Sequence, residues 1–110
     1  MKLLLDTHTC MWWDSNPAQL SPIALAALTD PANEVWLSVT SVWEIVIKVQ
    51  IGKLILRQPL ADIIKRQMAN RLRILVVAPE HALAVEGLPA IHKDPFDRML
   101  IAQANVEGAE

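Results

Sequence analysis

Three short apolar runs, separated by stretches of helical period, restrict this chain more than any other feature. Lys2 to Asp6 carries three consecutive leucines and stops at an acid, Glu34 to Ser38 carries Val35, Trp36 and Leu37, and Arg73 to Val77 is closed by Pro79. Runs this short and continuous predict strands. Because they do not alternate with polar residues, they predict a parallel sheet covered on both faces. The segments between supply helices. Pro22 to Thr29 follows Ser21 as a cap, with proline at the first helical position, and stops at Asp30-Pro31. Ser41 to Ile51 ends at Gly52, and Pro59 to Asn70 sets Leu60, Ile63, Ile64 and Met68 on one stripe. A shorter helix is expected around Glu80 to Glu86 before Gly87, and a last one from Pro95 to about Val106 before Gly108. The alternation of the two kinds of segment predicts an α/β sandwich.

A chain of 110 residues buries roughly two-thirds of its unfolded surface, enough for one core and too little for two, so residues 1–110 are expected to form a single domain. With 53% hydrophobic and 20% charged residues the chain can fill that core. Cys10 is the single cysteine and has no internal partner, which fits a reducing cytoplasm. The leading leucines are too few for a secretion signal, and no run approaches the ~18 apolar residues of a membrane span. The formal charge of −2 argues against a simple basic wrapper of nucleic acid. That average hides a division: Lys48, Lys53, Arg57, Lys65, Arg66, Arg71 and Arg73 fall in a segment whose one acid is Asp62.

Several chemistries are excluded by residue type. Glycine occurs only at 52, 87 and 108, so there is no phosphate-cradling loop and no dinucleotide fingerprint. Zinc would want paired histidines and cysteines, whereas His8, His81 and His92 have only Cys10 near one of them. Carboxylates remain. Ligands of parallel sheets sit beyond the carboxyl ends of the strands, where Asp6 and the Ser38 to Glu44 segment are expected. Each acid also has a structural reading. Asp6 can accept backbone hydrogen bonds in a turn, Glu44 completes a capping box with Ser41 and precedes Lys48 by four, and Asp94 and Asp97 flank Pro95-Phe96 at a helix start that favours acids. Gathered on one rim, such acids would repel unless a cation neutralised them, and oxygen-only ligands suit Mg²⁺ or Mn²⁺.

The words LLLDTH at 3–8, SVWEI at 41–45 with Lys48 following, GKL at 52–54, LP at 88–89 and HKDPFDRMLIAQA at 92–104 resemble a PIN-domain ribonuclease, and more narrowly the VapC-type toxins of toxin–antitoxin operons. The resemblance runs the whole length in the family's order. It implies a three-layer α/β/α sandwich with a central parallel sheet and Mg²⁺-dependent endonucleolytic cleavage of RNA, with Mn²⁺ as a substitute. It also implies restraint by a cognate antitoxin whose tail covers a hydrophobic groove, and a homodimer. By motif, Asp6, Glu44 and Asp97 match the catalytic, metal-binding acids, and Asp94 either joins them or caps the last helix. Thr7 matches the hydroxyl after the first acid, Lys48 is a candidate for RNA phosphate, and Arg98 either holds phosphate beside the pocket or makes a surface ion pair. In the family a further strand and a T-x-D-type acid normally follow the last helix. Here the sequence ends at Glu110, Glu107 and Glu110 do not match that segment, and the fold is expected to lack the C-terminal strand.

Two readings compete with the toxin nuclease. A PIN-derived binding module would engage antitoxin or its own copy without cutting, and a metal phosphatase would share the carboxylates but not the basic segment. Trp12, Trp13, Trp36, Trp43 and Phe96, like the methionines, are expected in the core rather than stacked on bases. The basic segment reads equally as an RNA track or as a solvated surface.

Overall fold

The computed structural model describes residues 1–15, 17–89 and 94–110. Strand β1 (Lys2–Leu5) is followed by helix α1 (Thr7–Ser15), a 3₁₀ turn at Pro17–Gln19, and α2 (Pro22–Thr29). Strand β2 (Glu34–Ser38) leads into α3 (Val39–Gln50), and α4 (Leu60–Ala69) into β3 (Leu72–Leu75). Helix α5 (Pro79–Ala84), a 3₁₀ turn at Val85–Gly87 and α6 (Pro95–Glu107) complete the chain. All three expected strands form, and they pair in parallel in the order β1-β2-β3, with Leu5 opposite Leu37 and Leu37 opposite Ile74. The backbone of Glu110 bonds the outer edge of β1, its N–H donating to the Lys2 carbonyl at 3.1 Å and its carbonyl accepting from the Leu4 N–H at 2.9 Å.

The two faces of the sheet differ. On one, Leu3, Leu5, Val35, Leu37, Leu72 and Ile74 pack with Cys10 and Trp13 of α1, Leu28 of α2 and Val42 of α3 into the apolar core. The other face carries Leu4 and Leu75 beside Lys2, Trp36, Ser38 and Arg73, with the Lys2 ammonium and the Arg73 guanidinium each 5.6 Å from the Trp36 ring centre. It is covered by α6 through polar contacts: the Ser38 hydroxyl donates to Gln103 Oε1 at 2.5 Å, and Lys2 pairs with Glu107 at 3.6 Å. So the expected apolar cover is met on one face and interrupted by a polar seam on the other.

That seam extends through His81, which is fully buried. Its Nδ1 accepts from the Ala78 N–H at 2.9 Å and lies 3.4 Å from Gln103 Nε2, an amide nitrogen with only protons to offer. The proton therefore sits on Nε2, which donates to Glu107 Oε2 at 2.9 Å. This bond, helped by the Lys2 charge and opposed by partial burial, holds the Glu107 carboxyl below the usual carboxylate range. A lowered carboxylate pKa stabilises the fold at pH values above the unfolded-chain value and loses that contribution as pH falls through the folded one. Glu107→Gln is therefore expected to lower the melting temperature at pH 7, and the gap to the wild type should close below pH 4.5, the group's ordinary value. A gap that stays constant down to pH 3 in paired melting curves would contradict this role.

Three elements differ from expectation in extent: β3 runs Leu72–Leu75 and leaves the expected Val76 and Val77 outside the sheet and exposed. Helix α3 starts at Val39, not Ser41, because Ser38 supplies the cap and accepts from the Thr40 N–H at 3.0 Å. The expected helix at Glu80 to Glu86 divides into α5 and a 3₁₀ turn. Helix α4 joins β3 through Asn70 and Arg71 alone, and Arg71 takes a left-handed φ of 75° to make the reversal. The aromatic expectation is overturned at Trp43, which is 61% exposed and meets Phe96 edge-to-face at 5.2 Å. Trp12 is also exposed, Trp13 alone of the five aromatics packs against the core cluster, and Met1 and Met68 are exposed. The accessible area is 6940 Å², larger than the ~6,100 Å² expected for this mass, and large apolar side chains such as Ile23, Ile55 and Val76 stand exposed.

Candidate active site

Helix direction brings the predicted acids to one end of the sheet. Helix α1 starts at Thr7, immediately past β1, and α3 starts at Val39, immediately past β2, so Asp6, Thr7 and Glu44 follow the carboxyl ends of their strands. Helix α6 bonds the carboxyl end of β2 through Gln103 and the amino end of β1 through Glu107, so it runs against the strands. Asp97 precedes Gln103 by six residues, which at 1.5 Å per residue carries it about 9 Å further along the helix, past the same carboxyl rim.

Asp6 is a cap. Its Oδ1 accepts from the Thr9 N–H at 2.7 Å and its carbonyl from the Cys10 N–H at 3.1 Å, which starts α1. The side chain is exposed at the strand end. Glu44 makes no capping box, because its helix begins two residues before Ser41. It turns inward instead, 9% exposed, where Oε1 accepts from the Thr7 hydroxyl at 2.5 Å and Oε2 pairs with the Lys48 ammonium at 3.1 Å. The Ser41 hydroxyl, three residues earlier, is buried with no hydrogen-bond partner among the described residues. Asp94 caps α6, its Oδ1 accepting from Phe96 N–H at 2.8 Å and Asp97 N–H at 3.4 Å. Asp97 lies exposed in the first turn of that helix. Arg98 follows it, with its guanidinium donating to the Pro89 carbonyl at 2.9 Å and the Val85 carbonyl at 3.2 Å.

The structure thus joins Thr7, Glu44 and Lys48 in one chain of contacts, and Asp94 and Asp97 in one helix start. It does not draw Asp6, Glu44 and Asp97 together: among the described residues no group of three or more His, Cys, Asp or Glu is close enough to hold a metal ion. His8 packs against Trp12, with ring centres 5.9 Å apart, and Cys10 is buried against Gln67. His92 lies outside the described residues. Reading the sequence missed the buried polar pairs of Cys10 with Gln67 and Ser38 with Gln103, since Gln67 and Gln103 sit on helices whose exposed faces would accept the same residue. No helix of the described residues is long and apolar enough to cross a membrane.

Beside the acids lies an apolar cavity of about 460 Å³ lined by Val39, Thr40, Trp43, Val77, Phe96 and Met99. A larger apolar groove of about 640 Å³ runs from the end of α3 to the start of α4, between Val46, Val49, Leu54, Ile55 and Leu60.

Comparison with known proteins gives the family. The PIN domain family profile matches residues 3–110. Ribonuclease VapC22 of Mycobacterium tuberculosis (strain ATCC 25618 / H37Rv) is 29% identical over 107 residues, which cover 96% of this chain and 81% of the relative. No solved structure matches the chain. A parallel α/β sheet with acids on its carboxyl rim, matched by that profile along nearly its whole length, belongs to the PIN domain family, with a likeness there to the VapC ribonucleases.

Proposed function

We propose that this protein is a Mg²⁺-dependent endoribonuclease toxin of a toxin–antitoxin pair. The observation that carries the reading is Glu44, a carboxylate buried at the sheet's carboxyl rim against a hydroxyl and an ammonium rather than serving as a helix cap. Asp6, Glu44 and Asp97 are the acids assigned to the metal, with Asp94 held at the start of α6 as cap. The donor set is all oxygen, and Mg²⁺ keeps several waters and takes as few as one or two carboxylates, so the residues fit a hard divalent cation without a closed cage of three. Bound there, the ion would polarise the scissile phosphate and activate water.

The chain's own residues do the rest. Thr7 donates to Glu44 and fixes the face its carboxylate presents. Lys48 and Arg98 supply positive charge toward the phosphodiester, and the basic segment that Lys48 begins offers a path for the RNA backbone. The groove between α3 and α4 is assigned to the antitoxin tail and the Trp43–Phe96 surface to a second copy. Light scattering with and without antitoxin checks both, and a monomer at micromolar concentration that ignores antitoxin would remove them.

The activity is tested on single-stranded RNA. EDTA should abolish cleavage and Mg²⁺ or Mn²⁺ should restore it, with a simple phosphomonoester left intact. Cleavage that persists in EDTA would sink the metal mechanism. The spread of Asp6, Glu44 and Asp97 over the rim favours a second reading, a binding module that engages partners without cutting. Absence of divalent-dependent cleavage by antitoxin-free protein would select it.

A further inference from the structure

The metal-site reading leaves one contact unexplained. Glu44 accepts at both carboxylate oxygens, from Thr7 at Oε1 and from Lys48 at Oε2. An ordinary ion pair four residues apart on a helix holds two water-facing side chains and is weak for that reason. Here the carboxylate side chain is only 11% exposed while the ammonium partner is 31% exposed, so Lys48 sits over the water-facing side of a buried acid. A buried carboxylate needs a compensating charge, and among the described residues the ammonium of Lys48 provides it.

We propose that Lys48 is a positioning residue that gates the divalent cation. Its ammonium holds Glu44 in the cation's place, is displaced when the cation binds, and moves to the RNA phosphate. Resting on the metal-site reading, the inference adds an order of events to it. An ammonium within a few ångströms of a divalent ion opposes its binding, and at about 6 Å in a water-like medium the repulsion corresponds to roughly a tenfold change in affinity. The lysine stem has four flexible carbons, so the ammonium can leave Glu44 without moving α3. Lys53 and Arg57 follow it along the chain, both exposed, and the Lys53 N–H donates to the Lys48 carbonyl at 2.9 Å, so the ammonium that leaves Glu44 has basic neighbours.

The test is Mn²⁺ affinity of metal-stripped protein at low ionic strength without RNA, read by calorimetry or by the loss of the free-ion resonance signal. Lys48→Gln keeps a hydrogen-bond donor for Oε2 and removes the charge, and it should bind Mn²⁺ about tenfold more tightly than wild type. Lys53→Gln removes an equal charge from an exposed position and should shift affinity by less than about twofold, because surface charges at distance are screened. If Lys48→Gln does not fold, Lys48→Arg carries the test in the opposite direction. A guanidinium grips a carboxylate more firmly than an ammonium and should weaken Mn²⁺ binding. With RNA as substrate, Lys48→Gln should raise KM more than it lowers kcat. An Mn²⁺ affinity unchanged or weakened in Lys48→Gln overturns the gate while leaving the metal site standing. Wild-type protein with no saturable Mn²⁺ binding overturns the metal-site reading and the gate with it.

Discussion

Asp6→Asn should reduce RNA cleavage by on the order of 10²–10³-fold while leaving the melting temperature where it is. The two halves of that expectation come from different properties of one side chain. Asp6 starts α1 through an oxygen that accepts from the Thr9 N–H at 2.7 Å, and asparagine offers the same oxygen. Asparagine and aspartate are equally good at a helix N-cap, so the fold should not register the change. Asparagine removes the negative charge that the metal would need. Cleavage within a fewfold of wild type would remove Asp6 from the metal's ligands and leave it as a cap alone. Asp94→Asn, measured beside it, divides the two roles assigned to that residue. As a pure cap Asp94 tolerates asparagine in both stability and cleavage, whereas a ligand would lose cleavage as Asp6 does.

Leu37→Ala should destabilise the domain by about 2–5 kcal/mol, the range for removing a buried leucine and leaving a cavity. Leu37 is fully buried in the middle strand, with Leu5 and Ile74 opposite it on the two neighbours, so no solvent-facing side chain can swing in to fill the space. Against a total of about 5–15 kcal/mol for a domain of this size, the loss is a large share. Leu83, 70% exposed on α5, provides the comparison, and Leu83→Ala should change stability by less than about 0.5 kcal/mol. Denaturant midpoints of the three proteins settle it, and equal costs at the two leucines would mean that the core is not where the sheet places it.

Among the described residues the strands and four of the six helices could be read directly, because continuous apolar runs, a Ser-Pro start and a following glycine are local signals. Gly52 and Gly108 do take left-handed φ values of 77° and 66° just past α3 and α6. Helix α1 was not legible. Its sequence THTCMWWDS is rich in residues of weak helical preference, and what holds it is the Asp6 cap together with Cys10 and Trp13 facing the core. The role of Glu44 was half-legible. Its identity as a candidate followed from its neighbours, but its direction depended on where α3 begins, and Ser38 rather than Ser41 decides that. Trp43 was misread because an apolar residue on an apolar helix looks like core whichever way it faces. The seam from Ser38 through Gln103 and His81 to Glu107 joins residues 65, 22 and 26 positions apart, and a polar residue on a helix carries no mark of so distant a partner.

The two-residue join between α4 and β3 also limits how this domain can be altered by insertion. With only Asn70 and Arg71 between helix and strand, there is no slack to absorb a length change. Because side chains alternate along a strand, one residue added there would exchange Leu72 and Ile74 for Arg73 and Leu75 on the core face. A guanidinium would then enter the space that Leu37 and Val35 now close. Libraries that vary loop length in this domain should therefore tolerate growth in the segment between Ile51 and Pro59, which enters no strand, and lose folded members at the Asn70-Arg71 join.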